Sequence, residues 1–227
     1  MQLEFMINKN LKRRILDISY KLKLSHLGSC LTAVDIIDYI YSIKKADESF
    51  ILSQGHAGLA LYVVLEKTTG ANAEYLLEQR SIHPTRIIHE LTIDTSNMKD
   101  IIDCSTGSLG QGLPIAVGMA LADRTKNVYC LISDGECSEG SIFEALKIAY
   151  EQKLTNLKIY VNTNGFSGYG RTDKHELLKR LTAFDVPFEW NETNVDYIPF
   201  LQGLQGHYKV MTAEEYQLAL RSLDEQN

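Results

Sequence analysis

The chain has 227 residues, of which 44% are hydrophobic and 23% are charged, a composition typical of one globular α/β domain. A formal net charge of −6 argues against non-specific nucleic-acid binding, since the one basic cluster, Lys12-Arg13-Arg14, is short. No run reaches the roughly 18–20 apolar residues of a membrane span, and the first five residues do not resemble a signal peptide. We therefore expect a cytoplasmic protein without nucleic-acid or membrane partners, whose four cysteines stay reduced.

The first part of the chain is predicted to be helical. Hydrophobic residues at helical spacing predict a helix over residues 10–23. The pair Thr32 and Asp35 has the spacing of a capping box, which predicts that a second helix begins at Thr32. A third helix is expected after His56, and Gly70 suits the left-handed cap at its end.

The central part predicts strands that alternate with helices. An Ala-rich helix is expected over residues 109–122, opened by a glycine loop. Continuous apolar runs at 128–132 and 157–161 predict strands buried on both faces of a parallel sheet. A helix over 141–152 lies between them, so the three elements form a βαβ unit.

The C-terminal part is less regular. Asp173 and Glu176 predict a capped short helix, and Thr212 and Glu215 predict another cap before a final amphipathic helix. The aromatic stretch 184–205 matches no regular pattern and receives no assignment.

Polar loops follow both predicted strands, where ligands of parallel sheets bind. Asp134 and Gly135 follow the first strand, and Asn164 follows the second. Carboxylate and amide oxygens are ligands that Mg²⁺ prefers when a phosphate completes the coordination, and a glycine lets the backbone approach that phosphate. Such Asp-Gly and Asn-Gly pairs are often simple turns, but their placement after consecutive strands favours a phosphate and metal site.

The spacing of Asp134 and Asn164 resembles the thiamine-diphosphate fingerprint, which runs from GDG to N across about 30 residues. Further segments, in colinear order over about residues 10–220, resemble motifs of the amino-terminal part of transketolases. They are SHLGS at 25–29, LSQGHA at 52–57, HP at 83–84, the stretch 105–118 (resembling TTGPLGQG…AVG), EG at 139–140, and GH with AEEY between 206 and 216.

This resemblance implies a set of site residues. Asp134, Asn164 and the carbonyl of Phe166 would hold Mg²⁺ against the diphosphate. The implied cofactor contacts come from His56, Gly107, Ser108, Leu109, Gly135, Glu136, Asn164 and His207. The implied catalytic or substrate-side residues are His26, His83, His207 and Glu139. His89 and His175 match no motif and are expected to be surface residues.

The resemblance also implies the architecture and the partner. We expect a three-layer thiamine-diphosphate-binding fold, with a parallel sheet flanked by helices, as a single diphosphate-binding domain over residues 1–227, shortened near its C-terminus. In the family, the glutamate that activates the cofactor lies on a separate pyrimidine-binding domain, which this chain does not contain. We therefore expect a split enzyme with a pyrimidine-binding partner subunit, as a heterotetramer with two chains of each kind.

The expected reaction is transfer of a two-carbon ketol unit from a ketose to an aldose, in carbohydrate metabolism. Two alternatives stay open: half of a thiamine-dependent 2-oxo acid decarboxylase or synthase, and a non-catalytic cofactor-binding paralogue. The presence of Asp134 and Asn164 counts against the last.

The sequence departs from the family pattern at three places. Ser133 replaces the first glycine of the fingerprint, and Thr85 replaces the acid of the HPE motif, which weakens the placement of His83. The segment between Asn164 and His207 is short by several tens of residues, so the density of Lys and Arg near the substrate mouth is expected to be low. This shortening suggests an acceptor other than a simple sugar phosphate.

Overall fold

The structure, a computed structural model, describes residues 7–78 and 102–226. In chain order these residues form α1 (Lys9–Leu22), α2 (Leu27–Ile43), β1 (Ser49–Leu52), α3 (Gly58–Thr69), α4 (Ala73–Glu78), α5 (Gly112–Ala122), β2 (Val128–Ser133), α6 (Gly140–Glu151), β3 (Leu157–Thr163), α7 (Lys174–Thr182), β4 (Phe188–Glu192) and α8 (Ala213–Asp224). The four strands lie in the order β1-β2-β3-β4, and each neighbouring pair is parallel. The predicted parallel sheet flanked by helices is confirmed.

Helices cover both faces of the sheet, which makes three layers. Along β2, Cys130 and Ile132 pack into the hydrophobic cluster with α5 and α6, whereas Tyr129 and Leu131 pack into the cluster with α1, α2 and α3. Every residue of β2 is buried. The continuous apolar run therefore reflects burial on both faces, as expected for a parallel strand between helical layers.

Several predicted elements are confirmed within one or two residues. The first helix is α1, and α3 ends at Thr69 with Gly70 as its cap, whose φ of 77° is left-handed. The βαβ unit consists of β2, α6 and β3. Thr212 and Glu215 form a reciprocal capping box at the start of α8.

The predicted start of the second helix at Thr32 is wrong, since α2 begins at Leu27. Thr32 lies inside the helix, where its hydroxyl donates to the carbonyl of Ser29 (3.1 Å). Asp35 does not complete a capping box but forms an ion pair with the buried Lys12 (2.8 Å). Both polar side chains make other contacts, and a local pattern cannot distinguish such contacts from capping.

The Ala-rich helix also begins later than predicted, at Gly112.

The stretch 184–205, which received no assignment, contains β4 and the short 3-10 helix Pro199–Leu201. A second 3-10 helix, Gly203–His207, begins at the end of the stretch. β4 pairs with β3 at the edge of the sheet, and the following residues lead back across the carboxyl ends of the strands. Within residues 7–78 and 102–226, no helix has the length and hydrophobicity needed to cross a bilayer.

Two glycines of α5 provide a matched test of packing at the sheet edge. An added Cβ at Gly112 would lie 2.5 Å from Ser53, whereas at Gly118 no atom lies within 4 Å. We expect Gly112→Ala to lower the free energy of unfolding by about 1–3 kcal/mol through overpacking. Gly118→Ala should leave it unchanged or raise it by up to about 1 kcal/mol, because alanine favours helix. Urea unfolding of both variants makes the comparison, and equal effects would contradict this packing.

Candidate functional site

The carboxyl ends of the strands open onto a cleft of about 370 Å³. Parallel strands end at a common edge, so loops that are distant in sequence meet there. The lining includes these predicted site residues: His26, His56, Gly107, Leu109, Asp134, Gly135, Asn164, Phe166 and His207. The cleft thus gathers residues of the α1–α2 turn, the loop after β1, the glycine loop, and the segments after β2, β3 and β4.

Asp134 lies at the base of this cleft and is almost fully buried. Its carboxylate accepts hydrogen bonds from the amides of Gly135 (3.0 Å) and Gly165 (2.8 Å) and from the hydroxyl of Thr172 (2.8 Å). Burial raises the pKa of Asp134, while these hydrogen bonds and the charge of Lys174 oppose the rise. A carboxylate has about four lone-pair positions, so three donors leave one position for a cation.

The other predicted metal ligands lie beside Asp134. The side-chain oxygen of Asn164 accepts from the amide of Phe166 (2.9 Å). The carbonyl oxygen of Phe166 lies 3.6 Å from the position that a Cβ of Gly135 would occupy, and Ser167 lies 3.2 Å from it. A carboxylate, an amide oxygen and a backbone carbonyl form a hard-oxygen set that fits Mg²⁺. Among the described residues, no group of three or more His, Cys, Asp or Glu is arranged as metal ligands.

Three histidines line the same cleft. The rings of His26 and His56 lie 5.5 Å apart, and His207 contacts the hydroxyl of Ser29 through Nδ1 (3.0 Å). The backbone amide of His26 donates to the carbonyl of His207 (2.8 Å), which joins the α1–α2 turn to the segment after β4. Burial lowers the pKa of His56 to about 3, helped by the nearby His26 and His207, and burial also lowers the pKa of His207. His56 is therefore neutral near pH 7 and retains one ring N–H donor.

Glu136 lies beneath the cleft and is fully buried. Its Oε1 accepts from the hydroxyl of Ser53 (2.6 Å) and the amide of Gly110 (3.0 Å), and its Oε2 accepts from the amide of Ser133 (3.0 Å). Burial raises the pKa of Glu136, and these hydrogen bonds oppose the rise. The side chain joins the loop after β1, the glycine loop and the end of β2. The cofactor contact implied for Glu136 stays a prediction, whereas the geometry gives its side chain a positioning role.

Two further predicted residues, Ser108 and Glu139, are not part of the cleft lining. Ser108 is exposed on the glycine loop, where its carbonyl accepts from the amide of Gln111 (3.3 Å). Glu139 is the N-cap of α6, and it lies where a Cβ of Gly110 would contact it. His83 lies outside the described residues, so its predicted role stays a prediction.

Two residues that contribute to the cleft were not predicted from the sequence. Thr172 bonds to Asp134 from 38 positions away, and no local motif marks that contact. Tyr208 lines the cleft beside His207. Its adjacency to a predicted histidine was the one available indication in the sequence.

Residues 16–196 match the protein family described as "Transketolase, thiamine diphosphate binding domain". The chain is 29% identical to a subunit of the apulose-4-phosphate transketolase of Phocaeicola vulgatus, covering 98% of this chain and 94% of that subunit. It is 32% identical to the transketolase of Homo sapiens, covering 75% of this chain but only 29% of that protein. A solved transketolase of Campylobacter jejuni matches with a TM-score of 0.73 and 21% identity, covering 95% of this chain and 42% of that one. The fold is therefore that of transketolases, and the chain spans less than half of these two longer proteins.

The role of Glu136 is tested by Glu136→Gln. The new amide nitrogen must face the N–H of either Gly110 or Ser133, so one buried backbone donor loses its acceptor. We expect the free energy of unfolding to fall by about 1–3 kcal/mol, measured by urea denaturation. Glu144→Gln, on the exposed face of α6, should stay within about 0.5 kcal/mol of the parent. Similar stabilities of the two variants would refute the positioning role.

The lowered pKa of His56 predicts a pH dependence of stability. Its pKa is about 3 in the folded chain and 6.5 ordinarily, so below pH 6.5 the unfolded chain binds a proton that the native state does not. This contribution is present above pH 6.5 and is lost progressively as the pH falls towards 3. We expect the parent to lose about 2 kcal/mol more than His56→Asn between pH 7 and pH 5.

Urea unfolding at both pH values measures this difference. His175→Asn, at an exposed position of α7, serves as the control and should keep the pH dependence of the parent. An identical pH dependence in His56→Asn and the parent would show that His56 is not held neutral.

Proposed function

Because this chain belongs to the transketolase family through its thiamine diphosphate-binding domain, we propose that it is the diphosphate-binding subunit of a split transketolase-like enzyme. The enzyme transfers a two-carbon ketol unit from a ketose to an aldose acceptor. The observation that carries the proposal is the cleft in which Asp134, Asn164 and the Phe166 carbonyl meet His56 and His207.

The metal and diphosphate are held at the base of the cleft. Asp134, Asn164 and the carbonyl of Phe166 bind Mg²⁺ through hard oxygens. His56 and His207 donate to the diphosphate oxygens from neutral rings. Gly135 allows close backbone approach, since even a Cβ there would lie 3.2 Å from Ser167.

The glycine loop and His26 would hold the reactive end of the cofactor. Bound thiamine diphosphate supplies the nucleophilic carbon for ketol transfer. Backbone groups of Gly107 and Leu109 would contact the aminopyrimidine, with Ser108 as a further cofactor-binding residue of the same loop. His26, with its ring 5.5 Å from that of His56, donates to sugar hydroxyls or moves a proton beside the reacting carbon. Glu139 lies at the boundary with the second active site.

The protein acts with a separate pyrimidine-binding subunit, two copies of each forming a heterotetramer. Two comparisons support a separate partner subunit. The chain spans 94% of a relative that is itself named as a subunit, but only 29% of the human transketolase. Residues 1–227 form one diphosphate-binding domain, shortened after β3. All four cysteines are free, which fits the reducing cytoplasm.

The substrates are sugars or sugar derivatives. Among the described residues lining the cleft, none is lysine or arginine. This lining favours an acceptor whose binding to this chain needs no phosphate contact.

The test is native mass spectrometry of the tagged chain, captured from its own cell extract with Mg²⁺ and thiamine diphosphate present. We expect a four-chain assembly with a second polypeptide and two bound cofactors. Asp134→Ala should assemble but lose both cofactors, with affinity reduced on the order of 100-fold, because loss of a residue that only supports a metal ligand already costs about 10–100-fold.

Asp47→Ala provides the control, since Asp47 forms an exposed ion pair with Lys126 at the opposite edge of the sheet. It should retain both cofactors. A cofactor-free monomer or homodimer of the parent would overturn the proposal, as would full cofactor occupancy in Asp134→Ala.

A further inference from the structure

Two segments face each other across the mouth of the cleft. One is the hairpin of residues 166–171, closed by a bridge between Phe166 and Arg171 and by the amide of Ser167, which donates to the carbonyl of Gly170 (2.8 Å). The other is the 203–208 segment, which contains the short 3-10 helix Gly203–His207 and Tyr208. The hairpin carries the Phe166 carbonyl and the 203–208 segment carries His207, so relative movement of the two changes the width of the cleft.

Tyr208 joins these two segments. Its hydroxyl donates to the carbonyl of Gly168 at the hairpin tip (3.0 Å). Its ring lies edge-on to His26 (5.8 Å between centroids) and to His207 (6.4 Å). Among the described residues, the Tyr208–Gly168 bond is the hydrogen bond that links the hairpin tip to the 203–208 segment. The tyrosine therefore lies across the cleft mouth, with its ring over the histidines and its hydroxyl on the opposite wall.

The base and the tip of the hairpin are held differently. At the base, the amide of Gly165 and the hydroxyl of Thr172 both donate to the buried carboxylate of Asp134. At the tip, Tyr208 is 54% exposed, so water can replace the bond to Gly168 when it breaks. A hydrogen bond that water can replace shifts an equilibrium by about two- to tenfold. The tip can thus open while the base stays in place.

We propose that Tyr208 is a positioning residue that straps the hairpin across the cleft and slows both entry and exit of thiamine diphosphate. The strap acts through Gly168 and the hairpin, not by binding the cofactor. The identity of the occupant rests on the proposed function, whereas the strap itself is a property of the chain without any ligand.

Tyr208→Phe removes the hydroxyl and keeps the ring, which makes it the informative variant. Without cofactor, the amide of Ser167, which donates to Gly170 near the tip, should exchange hydrogen about two- to tenfold faster than in the parent, whereas the amide of Thr172, which donates to Gly165 at the base, should be unchanged. Amides of β2 should be unchanged. Tyr150→Phe alters a tyrosine of matching exposure (56%) on α6 and should leave all rates unchanged.

The second readout is exchange of radiolabelled thiamine diphosphate with Mg²⁺ on the chain assembled with its captured partner subunit, with the dissociation constant from equilibrium dialysis. In Tyr208→Phe, association and dissociation should both accelerate by about two- to tenfold, with the dissociation constant within about twofold of the parent. A weaker dissociation constant with unchanged association would make Tyr208 a direct ligand and overturn the strap.

Unchanged hydrogen exchange in Tyr208→Phe would also overturn the strap. If the parent binds no thiamine diphosphate, the proposed function fails, while hydrogen exchange of the ligand-free chain still decides whether Tyr208 holds the hairpin.

Discussion

Two buried carboxylates at the end of β2 hold the loops on which the site depends. Glu136 accepts hydrogen bonds from the loop after β1, from the glycine loop and from the end of β2 itself. Asp134 accepts from both ends of the hairpin after β3. A buried carboxylate is costly unless donors surround it, so each loop must keep its position for the others to remain stable. The position of the site thus follows from the need to give two buried carboxylates their hydrogen-bond donors at the end of β2.

The three-layer architecture makes this convergence possible. β2 is buried on both faces, so the polar residues that follow it are placed at its carboxyl end, and the cleft opens at that edge of the sheet. The chemistry is built mainly from short groups: a carboxylate, an amide oxygen, backbone carbonyls and neutral histidines. Such a set suits an anionic cofactor bound through a divalent cation, and it leaves the other side of the cofactor to the proposed partner.

The route of the chain after β4 shapes the cleft mouth without disrupting its base. The chain passes through two short 3-10 helices, and the buried Ile198 and Leu201 anchor them to the hydrophobic cluster of α1, α2 and α3. This anchoring brings His207 onto Ser29 and places Tyr208 opposite Gly168. This route of the chain therefore places His207 in the cleft and Tyr208 across its entrance.

The amino-acid pattern alone was enough to predict the parallel sheet, the βαβ unit and the loops that carry Asp134 and Asn164, because hydrophobic periodicity and strand-end polarity are local properties. It misplaced the start of α2 and could not identify β4 or the role of Thr172. That Glu136 holds the loops and that Tyr208 spans the cleft became visible only in three dimensions. These outcomes depend on contacts between distant residues, such as Ser29 and His207, 178 positions apart. The pattern around each residue contains no information about a partner that packing alone brings near.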